Sequence, residues 1–134
     1  MKEYNFYNDV LNINTDKKYD KIISIAVLHH LKNVNEQIIA INKLLECLNS
    51  GGKLLVSFWS KEKHFNNQEN NKSDCRDFIT GPNYVNWKLS KDNVIKRFYY
   101  IHDYESIKDL ANEIEADYDI TWEKQNWFIT FYKK

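Results

Sequence analysis

Two apolar runs separated by a helix-length segment constrain this chain more than any other feature. Residues Tyr19 to Leu31 read YDKIISIAVLHHL. From Ile22 to Leu28 the run is apolar and β-branched, broken only by Ser24 and Ala26, which is the pattern of a buried strand. Asn33 reads as an N-cap with Glu36 three residues on, a capping-box start. Val34, Ile38, Ile41, Leu45 and Leu48 then fall on one helical stripe, and Gly51 is expected to end the helix. A second apolar run, Lys53 to Trp59, follows. A strand, a helix of about four turns and a strand require a crossover, and so a parallel pair in an α/β sheet.

The remainder is less regular. Tyr4 to Asn8 has the pattern of a short strand. Lys61 to Asp77, KEKHFNNQENNKSDCRD, is charged and Asn-rich, and is expected to be a solvated, mobile insertion within a single domain spanning residues 1–134. Phe78 to Leu89 is aromatic with a Gly81-Pro82 turn, and reads as a loop that docks on another surface. Arg97 to Ile101 reads as a short aromatic strand. Asp103 caps a helix from Tyr104 to Ile114 whose Ile107, Leu110, Ala111 and Ile114 share one face. Tyr118 to Glu123 and Trp127 to Tyr132 alternate about Lys124-Gln125-Asn126, predicting an antiparallel hairpin.

Charge narrows the function classes. Nineteen Lys and Arg balance nineteen Asp and Glu, so the chain as a whole has no field that would draw it to nucleic acid or membrane. An RNA substrate would have to meet a local basic patch. Lys88, Lys91, Lys96 and Arg97, interleaved with Trp87 and Tyr99, form such a patch; a solvated lysine-bearing loop is the commoner fate of such lysines. Cys47 and Cys75 lack metal-ligand spacing and are expected to be free thiols in a reducing compartment. The polar start MKEYNFYND is no signal peptide, and no apolar run reaches the roughly 20 residues of a bilayer span. A soluble protein of the cytoplasm, or also of the nucleus, is expected.

Four local matches make the reading specific. They are Ser24-Ile25-Ala26-Val27-Leu28-His29-His30, Gly51 to Trp59, Arg97-Phe98-Tyr99-Tyr100 and Gln125-Asn126-Trp127-Phe128, with a weaker fifth at Tyr84-Val85-Asn86-Trp87. In this order they resemble the eukaryotic wobble-uridine tRNA methyltransferases, class I S-adenosylmethionine-dependent enzymes that esterify 5-carboxymethyluridine. The fifth match departs from the family pattern, which has proline in place of Asn86. The resemblance covers nearly all of the chain except Lys61 to Asp77, but only the C-terminal part of a family member. It implies a partial doubly wound, Rossmann-like α/β sheet that lacks the first strands and ends in an antiparallel hairpin. No glycine precedes Gly51, so the Gly-rich loop that receives the cofactor's methionine end, and the acid that holds its ribose, are expected elsewhere. Whether that half is joined upstream of Met1, supplied in trans or lost stays open. Without it the Ile22 strand would be an unpaired apolar edge.

The resemblance also implies roles. S-adenosylmethionine would be the cofactor, with Asp9 near its adenine and Ser24, Ala26 and His29 beside it at a strand end. Ser24 and Ala26 also read as small residues beneath a helix and Asp9 equally as a loop aspartate, while for His29 or His30 alone a polar strand exit is the commoner reading. A carboxylate nucleophile is already ionised at neutral pH, so the site must align it rather than deprotonate it. Arg97 is the candidate to steer it, since a guanidinium fork can hold a carboxylate at two points; a surface arginine is the competing reading. His30 is placed with Arg97 in the catalytic set. Tyr99, Trp127, Lys96 and Arg97 are placed at the substrate. The implied partners are a tRNA anticodon loop and a small zinc-binding activator subunit, with no membrane. Rival readings are a catalytically inactive paralogue that binds tRNA or the activator, and a methyltransferase of small carboxylic acids.

Overall fold

The computed structural model describes residues 11, 13, 16–66, 68–69 and 75–134. The expected Tyr4 to Asn8 strand and Asp9 lie outside them. Strand β1 (Tyr19–Ser24) leads through a 3-10 turn (Leu28–His30) to helix α1 (Val34–Glu46) and strand β2 (Leu48–Trp59). β1 and β2 pair in parallel, with Ile22 opposite Leu54 and Ser24 opposite Val56. The crossover expected from spacing is therefore present.

Helix α1 starts as its sequence requires. The Asn33 side chain accepts from the Glu36 amide at 2.8 Å, while the Glu36 carboxylate takes the Lys32 amide at 3.4 Å instead of closing the box on Asn33. The helix stops sooner than Gly51 would suggest. Cys47 is its C-cap, and Lys133 Nζ binds the Leu45 and Leu48 carbonyls at 2.7 and 2.9 Å. A cation on terminal carbonyls satisfies acceptors that have no helical donor. Gly51 sits inside the irregular start of β2 with φ +81°, where the register slips between Tyr19 and Lys21.

β1 is also shorter than its apolar run. It ends at Ser24 because Ala26 turns to φ +58° and donates its N–H to Ser57 Oγ at 2.9 Å. The side chain of one strand thus terminates its neighbour.

Beyond β2 come the two-residue strands β3 (His64–Phe65) and β4 (Gln68–Glu69), then β5 (Gly81–Ser90) and β6 (Asn93–Ile101). From Gly81 onward the Phe78 to Leu89 segment is thus strand and not loop. β5 and β6 form one long hairpin, with Val85 opposite Arg97 and Asn83 opposite Tyr99. Pro82 is tolerated because β5 is an edge strand, paired on one side only.

Helix α2 (Tyr104–Asn112) begins where Asp103 accepts the Ser106 amide at 2.8 Å. β7 (Asp117–Glu123) and β8 (Asn126–Tyr132) close the chain as the predicted hairpin.

The main sheet runs β1-β2-β8-β7. It is parallel at one edge and antiparallel at the other, the mixed α/β arrangement expected. Leu54, Val56 and Phe58 of β2 lie opposite Phe131, Ile129 and Trp127 of β8. All six side chains are fully buried, and they form one core with Ala40, Ile41 and Leu44 of α1 and Ile107, Leu110 and Ala111 of α2. Burial of a side chain of this size contributes roughly 1.5–3 kcal/mol, so this layer holds the domain together. Among the described residues β1 pairs only with β2, and Ile23, 69% exposed, shows that its other face is uncovered.

Candidate functional site at the carboxyl ends of the parallel strands

The turn that ends β1 buries Leu28 and His29 and leaves His30 exposed. His29 is 1% exposed and is ringed by side chains from three elements. Its centroid lies 4.5 Å from His30, 5.2 Å from Trp59 at the end of β2 and 4.8 Å from Tyr99 of β6. Neither ring nitrogen makes a hydrogen bond. Burial, with the neighbouring His30 adding to it, holds the His29 pKa down at about 3, although the nearby Ala26 backbone pulls the other way. His29 is therefore a neutral imidazole at physiological pH.

His30 faces outward and is fixed by the hairpin. Its Nδ1 lies 3.0 Å from the Phe98 carbonyl. A carbonyl only accepts, so Nδ1 carries the proton and Nε2 keeps a lone pair in the neutral ring. A second proton would make Nε2 a donor.

Tyr99, 2% exposed, stacks on Trp59 at 4.2 Å with planes 10° apart. Phe78 stacks on Trp59 as well, at 5.5 Å, and the Arg76 guanidinium lies 5.3 Å from that ring. Arg97 is exposed and sits 4.8 Å over Trp87.

The site residues expected from sequence are thus partly gathered. His29, His30 and Tyr99 come together, and Arg97 lies two residues along β6 on the same hairpin face as Tyr99. Lys96, next to Arg97 in β6, projects from the opposite face, since successive strand residues alternate. Trp127 corrects the expectation that it meets substrate. It is 0% exposed and its indole N–H donates to the His102 carbonyl at 2.9 Å, so it is a core residue. The β8 pleat points odd-numbered side chains inward, which the sequence pattern left open. Ser24 is 8% exposed, enclosed beside Val56. Asp9 lies outside the described residues.

Three participants were not anticipated: Trp59, Arg76 and Phe78. Arg76 and Phe78 sit at the border of the polar insertion, and only the return of aromatic residues after Asp77 marked that border. The insertion is also less detached than its composition suggests. Phe65 packs at 4.9 Å from both Tyr104 and Trp127.

At the strand ends, Ile25 and Val27 are 44% and 45% exposed and flank the open Ala26 turn. They make an apolar shelf where α/β sheets place their ligands. Among the described residues no cluster of His, Cys, Asp and Glu could hold a metal.

Comparison with solved structures decides the architecture. An S-adenosylmethionine-dependent methyltransferase from Clostridium acetobutylicum superposes with a TM-score of 0.64 at 11% identity, over 94% of this chain and 63% of that one. The SAM-bound amino pentose methyltransferase CalS10 from Micromonospora echinaspora gives 0.60 at 10% identity, over 95% and 63%. The chain has the class I methyltransferase fold. Its sequence is similar to named tRNA methyltransferases. The tRNA (carboxymethyluridine(34)-5-O)-methyltransferase of Schizosaccharomyces pombe is 35% identical over 77 residues, 55% of this chain and 30% of that protein. The enzyme of the same description from Macaca fascicularis is 36% identical over 50 residues, 37% of this chain and 8% of that protein. The chain thus matches a minor part of these relatives' length. No protein-family model matches it.

In this methyltransferase fold the helices of the described residues cover one sheet face, and the histidine cluster sits at the carboxyl ends of β1 and β2. Among those residues no helix is long and apolar enough to cross a membrane.

Proposed function

We propose that this chain forms the substrate-facing part of an enzyme that methylates the carboxylate of wobble 5-carboxymethyluridine in tRNA, with S-adenosylmethionine as donor. The observation that carries this reading is the fold of the β5–β6 hairpin over the strand ends. It sets an exposed cation, Arg97, beside a buried aromatic and histidine cluster. Among the described residues no carboxylate pairs with Arg97. The Trp87 ring under the guanidinium restricts its motion.

Such a site suits a carboxylate nucleophile. Arg97 would hold one carboxylate oxygen and leave the other free to attack, while Tyr99 and Trp59 exclude water behind it. No proton has to be removed, so His30 would act by hydrogen bonding rather than as a base. Alignment of this kind can supply several kcal/mol of the barrier. S-adenosylmethionine would lie against the Ile25-Ala26-Val27 shelf and supply an electrophilic sulfonium methyl. His29 would stiffen the wall of the site from behind. The anticodon loop of tRNA is the proposed partner, and a small zinc-binding activator subunit the second.

The test is methyl transfer to an anticodon stem-loop carrying 5-carboxymethyluridine, with and without such an activator, read by mass spectrometry of the nucleosides. Formation of the methyl ester, reduced at least tenfold in Arg97→Ala with unchanged cofactor affinity, supports the reading. Methylation of a free carboxylic acid without RNA would transfer the assignment to a small-molecule enzyme. RNA binding with no cofactor binding would leave a non-catalytic module.

A further inference from the structure

Trp59 also lines a cleft that the methyl-transfer site does not use. Trp59, Arg76, Phe78, Lys124, Gln125 and Asn126 line it. It holds two cations and two aromatic rings and no acid. Among the described residues neither Arg76 nor Lys124 has an ion-pair partner.

The cleft is built rather than incidental. Gln125 is 5% exposed and clamps the Arg76 backbone from both sides. Its Oε1 accepts the Arg76 amide at 2.8 Å and its Nε2 donates to the Arg76 carbonyl at 2.7 Å. Lys124 and Gln125 form the two-residue β7–β8 turn with φ of +49° and +59°, a conformation that costs non-glycine residues energy. The Ser60 amide, at the end of β2, donates to the Gln125 carbonyl at 2.9 Å. A strained turn anchored to β2 thus sets the Arg76 guanidinium over Trp59. A surface arginine serving solubility alone needs no such anchoring.

We infer that this cleft holds a nucleotide of single-stranded RNA, with its phosphate on Arg76 and Lys124 and its base against Phe78. Paired cations beside aromatic rings are a means by which proteins take up unpaired nucleotides. The inference rests on the reading that the chain acts on RNA and assigns a neighbouring subsite to it. Trp59 is the wall common to both, so the nucleotide bound here would flank the one presented to the histidine cluster. Gln125 is a positioning residue, acting through Arg76.

The experiment is binding of a fluorescent anticodon-loop RNA to the 134-residue chain across a salt series, by anisotropy. Each phosphate contact on single-stranded RNA contributes about 0.7 to the salt slope. Arg76→Ala should lower that slope by about 0.7 and weaken binding about fivefold near 0.1 M salt. Arg76→Lys should keep the slope. Gln125→Leu should lose part of the affinity and of the slope. Unchanged affinity and slope in a folded Arg76→Ala protein would overturn the inference even if Gln125→Leu failed to fold, and so would absence of RNA binding by the unaltered chain. Binding through Arg76 without any methyl transfer would uphold this subsite and remove the methyl-transfer reading. Methyl transfer with Arg76→Ala binding RNA normally would do the reverse.

Discussion

Trp59 and Tyr99 stack 4.2 Å apart with their planes 10° from parallel, and this pair ties the β5–β6 hairpin to the sheet. Tyr99 is buried, whereas much of the rest of its hairpin is exposed, Tyr84 at 69% among them. Replacing Tyr99 with alanine is expected to cost about 3 kcal/mol in urea unfolding. It should also make the hairpin cleavable by protease under native conditions, whereas Tyr99→Phe retains the stack. An intact, protease-resistant hairpin in the alanine variant would show that other contacts hold it.

Acid should unfold this protein early. His102 is fully buried, with Nε2 2.7 Å from Gln37 Oε1 and Nδ1 2.5 Å from Ser106 Oγ. Burial lowers its pKa to about 4, against the opposing pull of Asp103, and that of His29 to about 3. An unfolded histidine titrates near 6.5. As pH falls through that value the unfolded chain takes up protons that the folded chain refuses, so stability drops. The loss levels off only below about pH 3–4. For His102 it should reach on the order of 3 kcal/mol. Urea midpoints measured from pH 7 to pH 4 should fall steadily, and a flat profile would contradict the burial of both rings.

The two orphan nitrogens of His29 make a separate prediction. A buried polar group without a partner costs about 1–3 kcal/mol. His29→Leu fills similar space and removes that cost, so thermal unfolding at pH 7 should be unchanged or shifted upward, and part of the acid sensitivity should disappear. A loss above about 3 kcal/mol would mean that the imidazole has a structural partner.

Gly51 and Gly52 differ in kind. A Cβ on Gly52 would come within 2.9 Å of the Asn49 and Asp20 carbonyl oxygens, which are backbone and cannot move cheaply. Gly52→Ala is expected to cost about 2 kcal/mol or more through overpacking. At Gly51 nothing lies within 4 Å, and only the φ of +81° opposes a side chain. Gly51→Ala should therefore cost about 1 kcal/mol. Equal losses at both positions, compared by chemical denaturation, would exclude the steric account.

The local elements were largely legible. Asn33 and Asp103 start their helices as capping residues do, and the alternation on either side of Lys124-Gln125 gave the final hairpin. The β5–β6 hairpin was not legible, because Gly81-Pro82 signals a turn and the prohibition on proline lapses at an edge strand. Nor was the end of β1, where the apolar run continues but a serine on the neighbouring strand captures the Ala26 amide.

The sequence by itself determined the parallel crossover, both helix starts, the closing hairpin and the resemblance to wobble-uridine tRNA methyltransferases. Those features rest on interactions a few residues apart, and the residues concerned carry them wherever they lie. Only the tertiary structure decided which side chains meet. It buried Trp127 in the core, turned Lys96 away from Arg97, enclosed His29 among Trp59, Tyr99 and His30, and brought Arg76 from the polar insertion onto Trp59 through Gln125. Strand register and packing set those outcomes, and both depend on residues distant in the chain.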